Sequence, residues 1–107
     1  MEKSKVYITQ DNGKNYAPAH KYGEPIFITN AEYTSVRNSS SNKKIIDNIS
    51  EMVKSFDANL DYVVLSGDPV IISLTVHAIL TEYGYLRVLK WHSIDRMYVP
   101  IVLSNNT

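Results

Sequence analysis

DYVVLSGDPVIISLTVHAILTEYGYLRVLKW, residues 61–91, decides the fold. Tyr62-Val63-Val64-Leu65 is a short β-branched, aromatic and aliphatic run without alternation, the pattern of a strand covered on both faces. Ser66-Gly67 ends it, Asp68 stands at a helix N-cap position, and Pro69 follows at the first helical position. A capping carboxylate accepts from the open amides of the first turn, and proline lacks the amide that would be orphaned there. The spacing predicts a helix over 69–83, closed by Gly84, and a strand over 86–91. Strand, helix and strand with short joins make a βαβ unit with parallel strands and a right-handed crossover. The helix is apolar nearly all round, so it is expected to be covered on more than one side, by another helix or another subunit. Ser73, His77 and Thr81 form its one polar stripe, read as its solvent side or as a face toward a partner.

Toward the N-terminus, Lys5 to Gln10 alternates Val6 and Ile8 with Tyr7 and Thr9 and reads as a half-buried strand. Pro25 to Thr29 is the second strand, with proline allowed at its start. Between them, Asp11 to Glu24 reads as one ordered loop carrying Tyr16, His20, Lys21 and Tyr22, and loops of that length in a compact domain are commonly functional. Residues 31–42 are polar and serine-rich, read as a flexible linker. From Lys43 the period changes: Ile45, Ile46, Ile49, Met52, Val53 and Phe56 make one helical stripe, with Ser41 or Asn42 as the expected N-cap.

Beyond Trp91, residues 92–96 read as a turn and Met97 to Leu103 as a strand returning on 86–91. Pro100 would remove a ladder amide, which assigns this strand to a sheet edge. Residues 104–107 are expected to fray. The whole is a single small α/β domain over residues 1–107, in the order β-β-α-β-α-β-β. Its mixed sheet holds a central parallel βαβ unit and a C-terminal hairpin.

A chain of 107 residues buries roughly 65% of its unfolded surface, enough for one core. It has no cysteine, which removes thiol catalysis, thiolate metal sites and a disulfide framework. Eleven Lys and Arg balance eleven Asp and Glu, so the excess positive charge of a general nucleic-acid binder is missing. No signal peptide and no membrane span are legible, and a cytoplasmic protein is expected. Eight tyrosines against two phenylalanines and one tryptophan favour binding surfaces, because tyrosine is amphipathic.

The three histidines, His20, His77 and His92, share no metal-box spacing, and no metal or cofactor is expected. Ser66-Gly67 is not a nucleophile elbow, and neither a dinucleotide glycine motif nor a P-loop is present. No catalytic residue can be assigned. The strongest candidate ligand site is Ser66, Gly67 and Asp68, at the carboxyl end of a parallel strand and the start of a helix. Asp68 reads first as a structural cap in a tight turn; in a ligand site it would instead contact a ribose hydroxyl or a cation. If the first strand runs parallel to the 62–65 strand, the loop residues Tyr16, His20, Lys21 and Tyr22 are expected to close over that turn.

Tyr22-Gly23-Glu24, Asp61-Tyr62 with Leu65-Ser66-Gly67-Asp68-Pro69, and Leu89-Lys90-Trp91 with Tyr98 together resemble a set of short tailed-bacteriophage proteins of unassigned activity. The resemblance spans most of the chain and implies a small viral accessory protein. The second half is also similar, more weakly, to small CRISPR-associated ring nucleases, with His77 and Asp95 at the matching positions, although Trp91-His92 replaces that family's Asp-Pro-Arg pattern. The expected function is binding without catalysis, to a host protein or another copy of the chain, in the host cytoplasm. The rival is a protein that binds a small or signalling nucleotide, or a ring-nuclease-like enzyme.

Overall fold

The computed structural model describes residues 3–105. Strands β1 (Lys5–Ile8), β2 (Glu24–Phe27), β3 (Tyr62–Val64), β4 (Tyr85–His92) and β5 (Met97–Ser104) form one sheet. Helix α1 (Ser40–Ser55) joins β2 to β3, and α2 (Pro69–Tyr83) joins β3 to β4. The strand order is β2-β1-β3-β4-β5. β1 pairs in parallel with β2 and with β3, and β3 in parallel with β4. β5 alone is antiparallel, in register with β4 from Tyr85 opposite Ser104 to His92 opposite Met97. The α/β class, the parallel βαβ centre and the terminal hairpin therefore stand as the residue pattern dictates.

The chain moves one way along the sheet from β1 to β2 and the other way from β2 through β3 to β4. With right-handed crossovers, connections in opposite directions fall on opposite faces. On one face α1 and α2 pack over Tyr7, Val63, Leu86 and Val88. On the other, Val6, Ile8, Val64, Leu89 and Tyr98 pack with Tyr16 and Ala19. Ala19 belongs to a short 3₁₀ helix, Ala17–Tyr22, that the residue pattern did not announce.

β1 is buried on both faces, not half-buried as its alternation suggests. Val6, Ile8 and Thr9 are fully buried, and Tyr7 is nearly so at 4%. Alternation reports polarity, whereas β1 lies between two strands with both faces covered, and Tyr7 packs its ring 5.8 Å from Phe56. The α1 N-cap also moves. Ser39, not Ser41 or Asn42, accepts from the Asn42 amide at 3.2 Å. The Asn42 side chain is turned inward instead, accepting from Thr34 N and donating to Thr34 O, both at 2.8 Å. Those bonds, with the Tyr33 amide donating to Asp68, anchor the segment expected to be a linker. Ile46 leaves the expected apolar stripe and lies exposed.

Helix α2 matches its predicted bounds, and Gly84 closes it in the left-handed conformation, φ 82°. Ile71, Thr75 and Ile79 form its fully buried line, while Ser73, His77 and Thr81 are exposed. β5 occupies the sheet edge, where Pro100 is tolerated. Of the expected frayed tail, Ser104 ends β5, the Asn105 side chain donates to Leu80 O at 3.0 Å, and residues 106 and 107 lie outside the described residues.

Candidate functional site

In an open sheet ligands favour the carboxyl ends of the strands, at the point where the chain's direction of travel reverses. Here that point lies between β1 and β3. The segments leaving those strands meet there through side chains. Thr9 Oγ1 donates to Ser66 O at 2.5 Å and accepts from Ser66 N at 2.8 Å. Gln10 Oε1 accepts from the Asp68 amide at 2.5 Å, and its Nε2 donates to Ala31 O at 2.9 Å. The Tyr16 hydroxyl lies 2.6 Å from Asn12 Oδ1 and 2.7 Å from Ser66 Oγ.

Gly67 takes φ +85°, which only glycine adopts readily. A Cβ there would sit 2.0 Å from Gln10 Oε1 and 2.7 Å from Gln10 Cβ. The turn thus needs glycine twice, for its dihedral and for the glutamine packed beneath it. Asp68 caps α2 by accepting from Val70 N, and its other oxygen accepts from Tyr33 N, each at 2.9 Å. Pro69 has no amide to offer. The start of α2 therefore already holds its own anion, and the Asp68 carboxylate is committed to two backbone amides.

An open cleft begins beside this turn. It has a volume of about 450 Å³ and runs from Lys14, Asn15, Tyr16 and Ser66 along the hairpin to Ile101 and Leu103. Its walls are apolar: Val64, Leu65, Val88, Leu89, Trp91 and Ile101 among them. Lys14 and Lys90 are its only charged residues. The cleft exists because β4 outruns β3. β3 pairs with β4 only at Val63–Val88 and Val64–Leu89, whereas β4 and β5 stay paired through Trp91–Tyr98 and His92–Met97. The hairpin projects past the sheet with Trp91 edge-on to Tyr98, centroids 5.0 Å apart. Burial, and secondarily the neighbouring Tyr16, raises the Tyr98 pKa above the ordinary tyrosine value.

The structure brings Tyr16 to Ser66 but parts the remaining loop residues from the turn. β2 is parallel to β1, so the chain between them must return to the amino edge of the sheet. His20 and Lys21 line a shallow depression there with Lys3, Ser4 and Glu24. Tyr22 stacks edge-on to Tyr62 at 5.3 Å and donates to Tyr98 O at 2.9 Å. His77 lies on the exposed side of α2, and Asp95 pairs with His92 in the hairpin turn at 3.0 Å. Among the described residues no cluster of three His, Asp or Glu side chains is placed to hold a metal, and no helix is long and apolar enough to cross a membrane.

Lys14, Leu65, Lys90, Trp91 and Ile101 also line the cleft, and no catalytic or ligand motif marks them. One signal was available. Residues 97–103 are nearly all apolar, although Pro100 assigns them to an edge strand, which ordinarily alternates or carries charge.

No curated protein and no solved structure matches the chain. A protein-family model does, described as phage Pam3 gp32-like protein and matched over residues 4–105. That span takes in the turn, the cleft and the whole hairpin, in line with the tailed-phage resemblance of the motifs. The chain belongs to the phage Pam3 gp32-like protein family.

Proposed function

We propose that this is a small phage accessory factor that works by binding a protein partner, without catalysis, through the cleft and the hairpin beside it. The observation that carries this reading is the hairpin surface. Trp91, Ile94, Met97, Val99, Ile101 and Val102 are all exposed, from 39% at Met97 and Ile101 to 86% at Ile94. Met97, Val99 and Ile101 fall on one face of the hairpin and Trp91 and Val102 on the other, and large apolar side chains exposed together on one projecting element mark an interaction site. The partner is a host protein or a second copy of the chain, in the host cytoplasm.

The test is retention of host-extract proteins on the immobilised full chain, beside light scattering of the chain alone. The expected result is a protein held by the wild type and lost from Ile101→Glu, or a concentration-dependent oligomer that the same change dissolves. A strict monomer that retains nothing would overturn the reading.

A second reading, capture of a small nucleotide, has one observation in its favour. The cleft lies at the carboxyl ends of parallel strands and sets Lys14 and Lys90 around Trp91, a phosphate-and-base combination. A thermal-shift screen with cyclic and linear nucleotides, with and without Mn²⁺, tests it. Ligand at about 100 times its Kd should add roughly 2.7 kcal/mol. No shift with any of them would remove this reading.

A further inference from the structure

We infer that the partner presents an acidic peptide segment with a bulky apolar anchor, and that it enters the cleft by its side chains instead of adding a strand to β5. This rests on the binding reading above and names the partner's chemistry. Charge complementarity selects the acid. Lys14 and Lys90 are the only charged groups of the cleft, and Arg87 and Arg96 lie on the same hairpin. The hairpin's one carboxylate, Asp95, lies in the turn 3.0 Å from His92, against the three cations Arg87, Lys90 and Arg96. Arg87 is stacked on the Tyr62 ring, 4.2 Å from its centroid, toward the amino end of β4 and outside the cleft itself. Two copies meeting hairpin to hairpin would set these cations against each other, which disfavours self-pairing.

The apolar anchor follows from the walls. Leu65, Leu89, Trp91 and Ile101 offer a floor about the size of one or two large side chains. A buried apolar anchor with charged groups at the rim is the usual division of labour in such an interface. Side-chain docking follows from Pro100. It sits in the middle of the edge strand, opposite Leu89, and has no amide to give an added strand. The backbone edge is interrupted while the side chains of Val99, Ile101 and Val102 stay exposed.

The test is selection of a random twelve-residue peptide library on the immobilised full chain. Titration of the selected peptides then follows emission from Trp91, the only tryptophan. The expected result is enrichment of sequences that pair Leu, Phe or Trp with Asp or Glu, and a blue shift of Trp91 emission on binding. Affinity should weaken roughly ten-fold in the Lys14→Glu/Lys90→Glu double variant and fall with added salt. Both lysines are exposed, so the double variant should keep the wild-type melting temperature. Enrichment of apolar peptides with no acidic preference would overturn the acidic inference and leave the binding reading standing. No enrichment, a nucleotide-induced stabilisation, or a hairpin-dependent dimer would each overturn it. Peptides whose binding survives Ile101→Glu would remove both the inference and the reading beneath it.

Discussion

The turn after β3 and the hairpin after α2 are neighbours with opposite characters. In the turn, the Ser66 and Asp68 amides, the Ser66 hydroxyl and both Asp68 oxygens have partners within the chain. In the hairpin, six large apolar side chains face outward. A turn whose polar groups satisfy one another holds a fold in place. The hairpin's apolar groups are only partly covered within the chain, and on the proposed reading a partner covers the rest. The motif that is most conspicuous in the residues, Ser66-Gly67-Asp68-Pro69, is thus the lock, and the plainer segment beside it is the candidate recognition surface.

The sharpest way to break this contrast is Gly67→Ala. Positive φ combined with overlap on Gln10 should cost about 3 kcal/mol, read as a lowered urea midpoint at unchanged slope. A cost below about 1 kcal/mol would mean the turn is not locked. Asp68→Ala removes a helix cap and leaves the Tyr33 amide without its acceptor, so about 1–2 kcal/mol should go. A stability gain instead would mark Asp68 as strained and kept for a ligand. Ile101→Glu, on the open side of the comparison, should cost only about 1 kcal/mol, since Ile101 is 39% exposed, while abolishing partner retention. A large loss of stability would show that Ile101 belongs to the core.

The smallest effect concerns alkaline pH. The Tyr7 pKa is raised by burial first and by Asp61 second, and that of Tyr98 by burial and Tyr16. Above about pH 10 the unfolded chain releases these protons before the folded one does. The folded state then holds more protons, so stability is full below that pH and falls as pH rises further. Tyr98→Phe should flatten this decline, measured as urea midpoints from pH 8 to 11. An unchanged slope would place the Tyr98 hydroxyl in water.

The parallel centre and the hairpin were legible because they rest on local chemistry: the Asp68-Pro69 helix start, the Gly84 stop and the uninterrupted apolar run of 62–65. What was not legible depends on distant partners. Asn42 looks like a cap, yet it is drawn inward by Thr34, and the cap falls to Ser39. Asp61 looks like an ordinary loop acid, yet it is buried and accepts from the Lys5 and Asp57 amides at 2.9 and 2.8 Å. The loop after β1 reads as one unit, but parallel pairing of β2 sends Tyr16 to one edge of the sheet and Lys21 to the other. The cleft depends on how far β4 outruns β3, a difference in strand length that no residue pattern at single positions encodes.

The most direct measurement is partner retention by Asp68→Ala and Ile101→Glu compared side by side with the wild type, in one host extract. The account predicts that Asp68→Ala, though less stable, retains the partner, and that Ile101→Glu, folded and no less stable than Asp68→Ala, loses it. Retention by Ile101→Glu together with loss from a folded Asp68→Ala would contradict it and make the turn the site.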